Sequence, residues 1–124
     1  MQCLRLRAYF ELIIFDFYLR RRDFSLLHAK VRACRLRPGT TTLETVGQIC
    51  RAMDEACIWY WKEVLCLQRS AATTCLLRKN GVPAQMVIGT SQIPFRAHAW
   101  VELGGQVVND KPYIAEIYSV LDRC

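Results

Sequence analysis

No apolar run in this chain is long enough to cross a bilayer. Runs such as Leu12 to Phe15 fall far short of the roughly 20 residues a spanning helix needs, so no membrane insertion is expected. The start, Met1-Gln2-Cys3-Leu4-Arg5-Leu6-Arg7, does not read as a secretory signal, because Glu11 and Asp16 break the apolar run behind its arginines. The seven cysteines contain no CxxC pair and no metal-finger spacing, so no metal site is expected. No nucleic-acid motif accompanies the excess of positive charge, and no nucleic-acid partner is expected. Linkers, low-complexity tracts and internal repeats are absent too. Histidine is scarce: His28 and His98 are the whole set.

What is present fits one domain. The chain has 124 residues, 52% of them hydrophobic, and can build a core without staples. The expected organisation is a single domain over 1–124, with an N-terminal helical segment over 1–40 and the core over 41–124. Net charge is +6, which suits an acidic partner surface and serves solubility equally well. An odd cysteine count leaves at least one thiol unpaired, which points to a reduced, cytoplasmic protein with mostly buried structural cysteines such as Cys50, Cys57 and Cys75.

Ala8 to Leu19 is dense in large apolar groups and reads as helical. Arg20-Arg21-Arg22-Asp23 and a second apolar patch around Phe24, Leu26 and Leu27 follow, closed by Pro38-Gly39. The basic set Arg20, Arg21, Arg22, Arg32, Arg35 and Arg37 reads as a solvated face. Thr41 and Glu44 stand as in a capping box. Behind them Val46, Ile49, Cys50, Met53, Cys57 and Tyr60 recur at helical steps. A further helix is predicted over Cys66–Lys79, stopped by Asn80-Gly81 with Pro83 beyond. Ala84–Gly89 and His98–Leu103 read as strands, with Gln106–Asp110 as the return strand of a hairpin. The residues after Pro112 are weakly defined. Helices first and an antiparallel sheet second make the fold class α+β.

Cys66, His98 and Asp110 then fall on a helix start and two strands, in the order of a thiol nucleophile, its base and an orienting carboxylate. A helix N-terminus stabilises a thiolate, and the Cys66 backbone N–H there can serve a developing oxyanion. Strand parity adds a condition. With Gly104-Gly105 alone as the turn, Leu103 pairs with Gln106, and His98 and Asp110 point to opposite faces. With Leu103-Gly104-Gly105 as the loop, His98 stands opposite Asp110. The triad therefore predicts the longer loop. Arg69 and Ser70 could bind substrate or brace the helix. Trp100 could shield the site or simply pack, and packing is the commoner role of such a residue. His28, in an arginine-rich helical stretch, reads as surface.

Residues 55 to 115 resemble a known family. The blocks that carry the resemblance are Cys66-Leu67-x-Arg69-Ser70-x-Ala72, Leu76-Leu77-Arg78-Lys79-x-Gly81, Pro94-Phe95-x-Ala97-His98-Ala99-Trp100-Val101-Glu102 and Val107-Val108-Asn109-Asp110. Together they are similar to the transglutaminase-like leader peptidases of bacterial lasso-peptide biosynthesis. The resemblance implies a papain- or transglutaminase-like core with the nucleophile at a helix N-terminus, packed on a small antiparallel sheet. It implies a cysteine peptidase that needs no cofactor, with Cys66 as nucleophile, His98 as general base and acid, and Asp110 as orienting carboxylate. The substrate would be the leader region of a ribosomally made precursor peptide. The implied partners are a separate leader-recognition protein, because about 40 residues before the second helical region are too few for a fused one, and an asparagine-synthetase-like macrolactam cyclase. An acyltransferase with the same triad, or a scaffold that only presents the precursor, would share these residues.

Overall fold

The computed structural model describes residues 2–39, 41–92 and 94–124, with the side chain of Gln2 set aside; Met1, Thr40 and Ile93 lie outside the described residues. Four helices come first: α1 over Gln2–Arg20, α2 over Phe24–Ala33, α3 over Leu43–Trp59 and α4 over Cys66–Lys79. The strands follow: β1 over Gln85–Gln92, β2 over Phe95–Leu103, β3 over Gln106–Val107, the short helix α5 over Ile114–Ile117, and β4 over Ser119–Arg123. The sheet is antiparallel in the order β3-β2-β1-β4. The fold is α+β, as expected. Among the described residues no helix is long and apolar enough to cross a membrane.

Helix α4 sits at the centre. It is buried from Ser70 to Leu77 because Ala71, Ala72, Thr73, Thr74 and Cys75 are small enough to let neighbours close in on every side. Ala8, Leu12 and Phe15 of α1, Ile49 and Met53 of α3, and Met86 and Val101 of the sheet share one core with it. The opposite face of the sheet holds a second, smaller cluster of Val87, Trp100 and Ile114, with Tyr118 packed against it. The helix predicted over Cys66–Lys79 has those bounds, with Asn80 as its C-cap and Gly81 in the left-handed region at φ +85°.

Some local expectations are corrected. The N-cap of α3 is Thr42, whose hydroxyl accepts from the Thr45 amide at 3.0 Å. Thr41 instead donates to the Gly81 carbonyl at 3.1 Å, so no Thr41–Glu44 capping box forms. The β2–β3 turn is Gly104-Gly105 alone, since Leu103 pairs with Gln106. Both glycines take positive φ, 58° and 83°, as a type I′ turn requires. The longer loop through Leu103 is therefore wrong. The return strand also ends early, at Val107. His28 is not a plain surface residue: its ring is mostly covered and its Nδ1 lies 3.2 Å from Asp122. β4 was not foreseen; it pairs with β1, and the Cys124 amide and carbonyl exchange hydrogen bonds with Met86.

Candidate active site

Although the turn has the register that parity associates with opposite faces, His98 Nε2 and Asp110 Oδ2 are 2.6 Å apart. Asn109 is the cause. In a regular ladder the Val108 carbonyl would accept from the Val101 amide. Here the Val108 amide still donates to the Val101 carbonyl at 2.9 Å, but the Val101 amide donates to the Asn109 side-chain oxygen at 2.7 Å. A side chain has replaced a backbone acceptor, so the chain leaves the strand and the period-two alternation stops. Asp110 turns back to His98 from a bend.

Asn109 also reaches α4, donating through Nδ2 to Ser70 Oγ at 3.3 Å. Ser70 lies one helical turn after Cys66, on the same face of α4. The face that carries the thiol is thus turned toward the segment that carries the carboxylate. Cys66 is exposed and is the first residue of its helix. Leu65, the N-cap, offers no side-chain acceptor to the amides of that first turn. No hydrogen bond joins the Cys66 thiol to His98 among the described residues; the structure brings His98 and Asp110 together, and the thiol stands apart from them at the start of α4, whose Ser70 is tied to Asn109.

The imidazole is held by its surroundings. Tyr118 and Trp100 stack near it, with ring centroids at 5.4 Å and 6.1 Å. Trp100 is fully buried and donates through its indole N–H to Glu102 at 2.9 Å, and Glu102 also faces Arg123 at 3.4 Å. Trp100 is therefore support beneath His98 and does not line a binding surface. Gly89, paired with His98 across β1 and β2, makes room for this stack. A Cβ there would come within 2.6 Å of the Trp100 ring and 2.8 Å of Tyr118.

Arg69 forms an ion pair with Asp54 of α3. It braces α4, and its charge reaches Asp110. Burial would raise the Asp110 carboxyl, but the His98 bond, the Lys111 amide and the charges of His98 and Arg69 outweigh it and hold Asp110 below its ordinary range. The carboxylate is consequently ionised wherever the protein is folded near neutral pH. Cys3 is exposed like Cys66, whereas the thiols inside the fold are not. Burial, with Asp54 nearby, pushes Cys50 up to about 11, and burial raises Cys57 as well. Cys75, fully buried, is held protonated by its hydrogen bond to Cys34 and by burial.

Sequence reasoning named Cys66, His98 and Asp110 but passed over Asn109, Gly89, Tyr118 and Glu102. Asn109 and Glu102 stood inside the quoted blocks; Gly89 and Tyr118 carried no local signal, because their roles depend on strand pairing.

Comparison with known proteins agrees with this architecture. A profile of the transglutaminase-like superfamily matches residues 12–122. The chain is also 43% identical over 56 residues to the microcin J25-processing protein McjB of Escherichia coli. That stretch is 45% of this chain and 27% of McjB, so the chain spans well under two thirds of that relative. No solved structure matches.

Proposed function

The chain belongs to the transglutaminase-like superfamily, and from that premise we propose that it is a cysteine peptidase that removes the leader from a lasso-peptide precursor. The superfamily includes cysteine proteases and acyltransferases, and the similarity to a microcin-processing protein favours a precursor peptide as substrate. The observation that carries the reading is the His98–Asp110 pair at 2.6 Å, in a chain whose exposed Cys66 opens helix α4.

With Nε2 engaged by Asp110, His98 has Nδ1 left to take the thiol proton. The Cys66 thiolate adds to the scissile carbonyl, and the Cys66 amide stabilises the oxyanion. The tetrahedral adduct collapses as His98 gives the proton to the leaving amine, which becomes the new N-terminus of the core peptide. Water, deprotonated by His98, then hydrolyses the thioester, releasing the leader carboxylate and restoring the thiol. Asp110 fixes the ring orientation and stabilises the imidazolium. Arg69 and Ser70 serve as positioning residues. A separate leader-recognition protein would present the substrate, and an asparagine-synthetase-like cyclase would consume the freed core, all within the bacterial cytoplasm.

The test is mass spectrometry of a lasso precursor incubated with the chain and the leader-binding protein of the same gene cluster. The expected products sum to precursor plus one water, and Cys66→Ala abolishes them. Cleavage undiminished in Cys66→Ala would overturn the reading. Products that carry an added amine in place of water would assign the acyltransferase activity instead.

A further inference from the structure

Helix α1 has apolar residues on two sides. Ala8, Leu12 and Phe15 are fully buried, whereas Leu6, Phe10, Ile13 and Phe17 stand 44–65% exposed. The exposed residues follow one another at steps of four, three and four. That is the narrow a/d seam of a coiled coil rather than the wide stripe of a core-facing helix. From Leu6 to Phe17 it runs about 16 Å. Its C-terminal end opens into a depression of about 290 Å³ bounded by Ile13, Asp16, Phe17, Arg20, Tyr60 and Trp61, where the Asp16 carboxylate is held by Arg20 and Lys62. A hollow at the end of such a seam has the shape that accepts a protruding side chain, and a flat lipid surface would leave it unfilled.

The charges that α1 itself shows beside the seam have one sign, although Arg5 is already paired with Glu55 of α3 at 3.1 Å. Both acids of α1 are turned inward, Glu11 to Lys79 and Asp16 to Lys62 and Arg20. The charges α1 shows to solvent are Arg5, Arg7 and Arg20, with Arg21 and Arg22 directly after it. Arg21 lies 5.0 Å over the Phe17 ring, and Arg20 and Lys62 lie 5.1 and 5.0 Å from the centroid of Trp61. A second copy laid along this seam would bring arginine against arginine in either direction, which opposes self-pairing.

We propose that the exposed seam of α1 docks an amphipathic helix of a partner protein, one with apolar residues at matching spacing and acidic flanks. Trp61 and Lys62 lie five and four residues before Cys66, so the same connection leads from the end of the seam into the start of α4. The proposal draws its biological sense from the peptidase reading. Its test reads binding alone, so the two stand or fall separately.

The probe is a synthetic fluorescein-labelled helical peptide with leucines at alternating three- and four-residue steps and glutamates beside them, followed by fluorescence anisotropy against the full chain. The acidic peptide binds, more weakly as salt rises. Binding falls at least about tenfold in Phe10→Glu/Phe17→Glu and in Arg21→Glu/Arg22→Glu, and Cys66→Ala leaves it unchanged. Because the arginine pair is remote from the core, that variant decides the matter should the phenylalanine variant fail to fold. Equal binding by a lysine-flanked peptide, undiminished binding by both double variants, or no binding at all overturns the proposal. Sedimentation velocity showing a dimer lost in Arg21→Glu/Arg22→Glu would assign the seam to a second copy. Co-sedimentation with phosphatidylglycerol vesicles in the absence of peptide binding would assign it to a lipid surface.

Discussion

Asn109 joins three parts of the site with one side chain. Its oxygen caps the Val101 amide of β2, its nitrogen holds Ser70 of α4, and its backbone leads into Asp110. Truncating it leaves a largely buried amide without a partner, at a cost of about 1–3 kcal/mol. It also frees the bend that aims Asp110 at His98. Asn109→Ala is therefore expected to lower kcat/KM about 10- to 100-fold, since a misplacement near 1 Å suffices for that loss. The loss should fall in kcat with KM little changed, because both ends of its side-chain amide are engaged within the protein. Steady-state kinetics on a leader–core peptide check it; a fall confined to KM would assign Asn109 to substrate binding instead. Burial makes Trp100 and Glu102 equally indirect, and they act on His98 through packing.

At the scale of elements, α1 is fastened by its acids. Burial would raise the Asp16 carboxyl, but Lys62, the Tyr60 hydroxyl at 2.7 Å and Arg20 outweigh it and hold Asp16 below its ordinary 3.8. A carboxyl with a depressed folded pKa stabilises the fold at pH values above its unfolded pKa, and that contribution disappears as pH falls through the folded value. Thermal unfolding should thus hold steady down to about pH 5 and weaken below about pH 4. Asp16→Asn should cost about 1–3 kcal/mol at neutral pH and flatten the acid decline. An unchanged acid decline in that variant would place the acid sensitivity elsewhere. The acids at Glu11 and Asp16 broke the apolar run in the sequence, yet nothing local showed that they face inward to partners as distant as Lys79 and Tyr60. By contrast α4 was legible to the residue, because Asn80-Gly81 is a local stop and its positive φ needs only glycine. β4 was not legible: Ser119–Arg123 is mostly exposed, and its strand geometry comes from pairing with β1 across the molecule. The turn at Gly104-Gly105 was legible in composition. Its consequence for Asp110 was not, because parity fails once Asn109 takes over a ladder bond.

At the scale of the whole molecule, the question is whether residues 41–124 form a core that the preceding helices merely decorate. The burial pattern argues against that division. Leu12 and Phe15 of α1 and Leu27 and Val31 of α2 are fully buried in the same cluster as α3, α4 and the sheet. Four such side chains at about 1.5–3 kcal/mol each supply about 6–12 kcal/mol, comparable to the about 5–15 kcal/mol total stability of a typical domain. Arg78 of α4 adds a polar tie, donating to the Val31 carbonyl at 2.6 Å. Helix α4 bears Cys66, so the support that α1 and α2 give its flank also holds the thiol's end of the site. A chain truncated to begin at Thr41 should consequently lose cooperative unfolding, bind a hydrophobic dye and show no peptidase activity, while the full chain unfolds in one transition. Calorimetry and near-ultraviolet circular dichroism of the two chains check this. A sharp transition in the truncated chain would make the N-terminal helices an accessory to an independent core, and the seam on α1 would then be carried by a detachable arm.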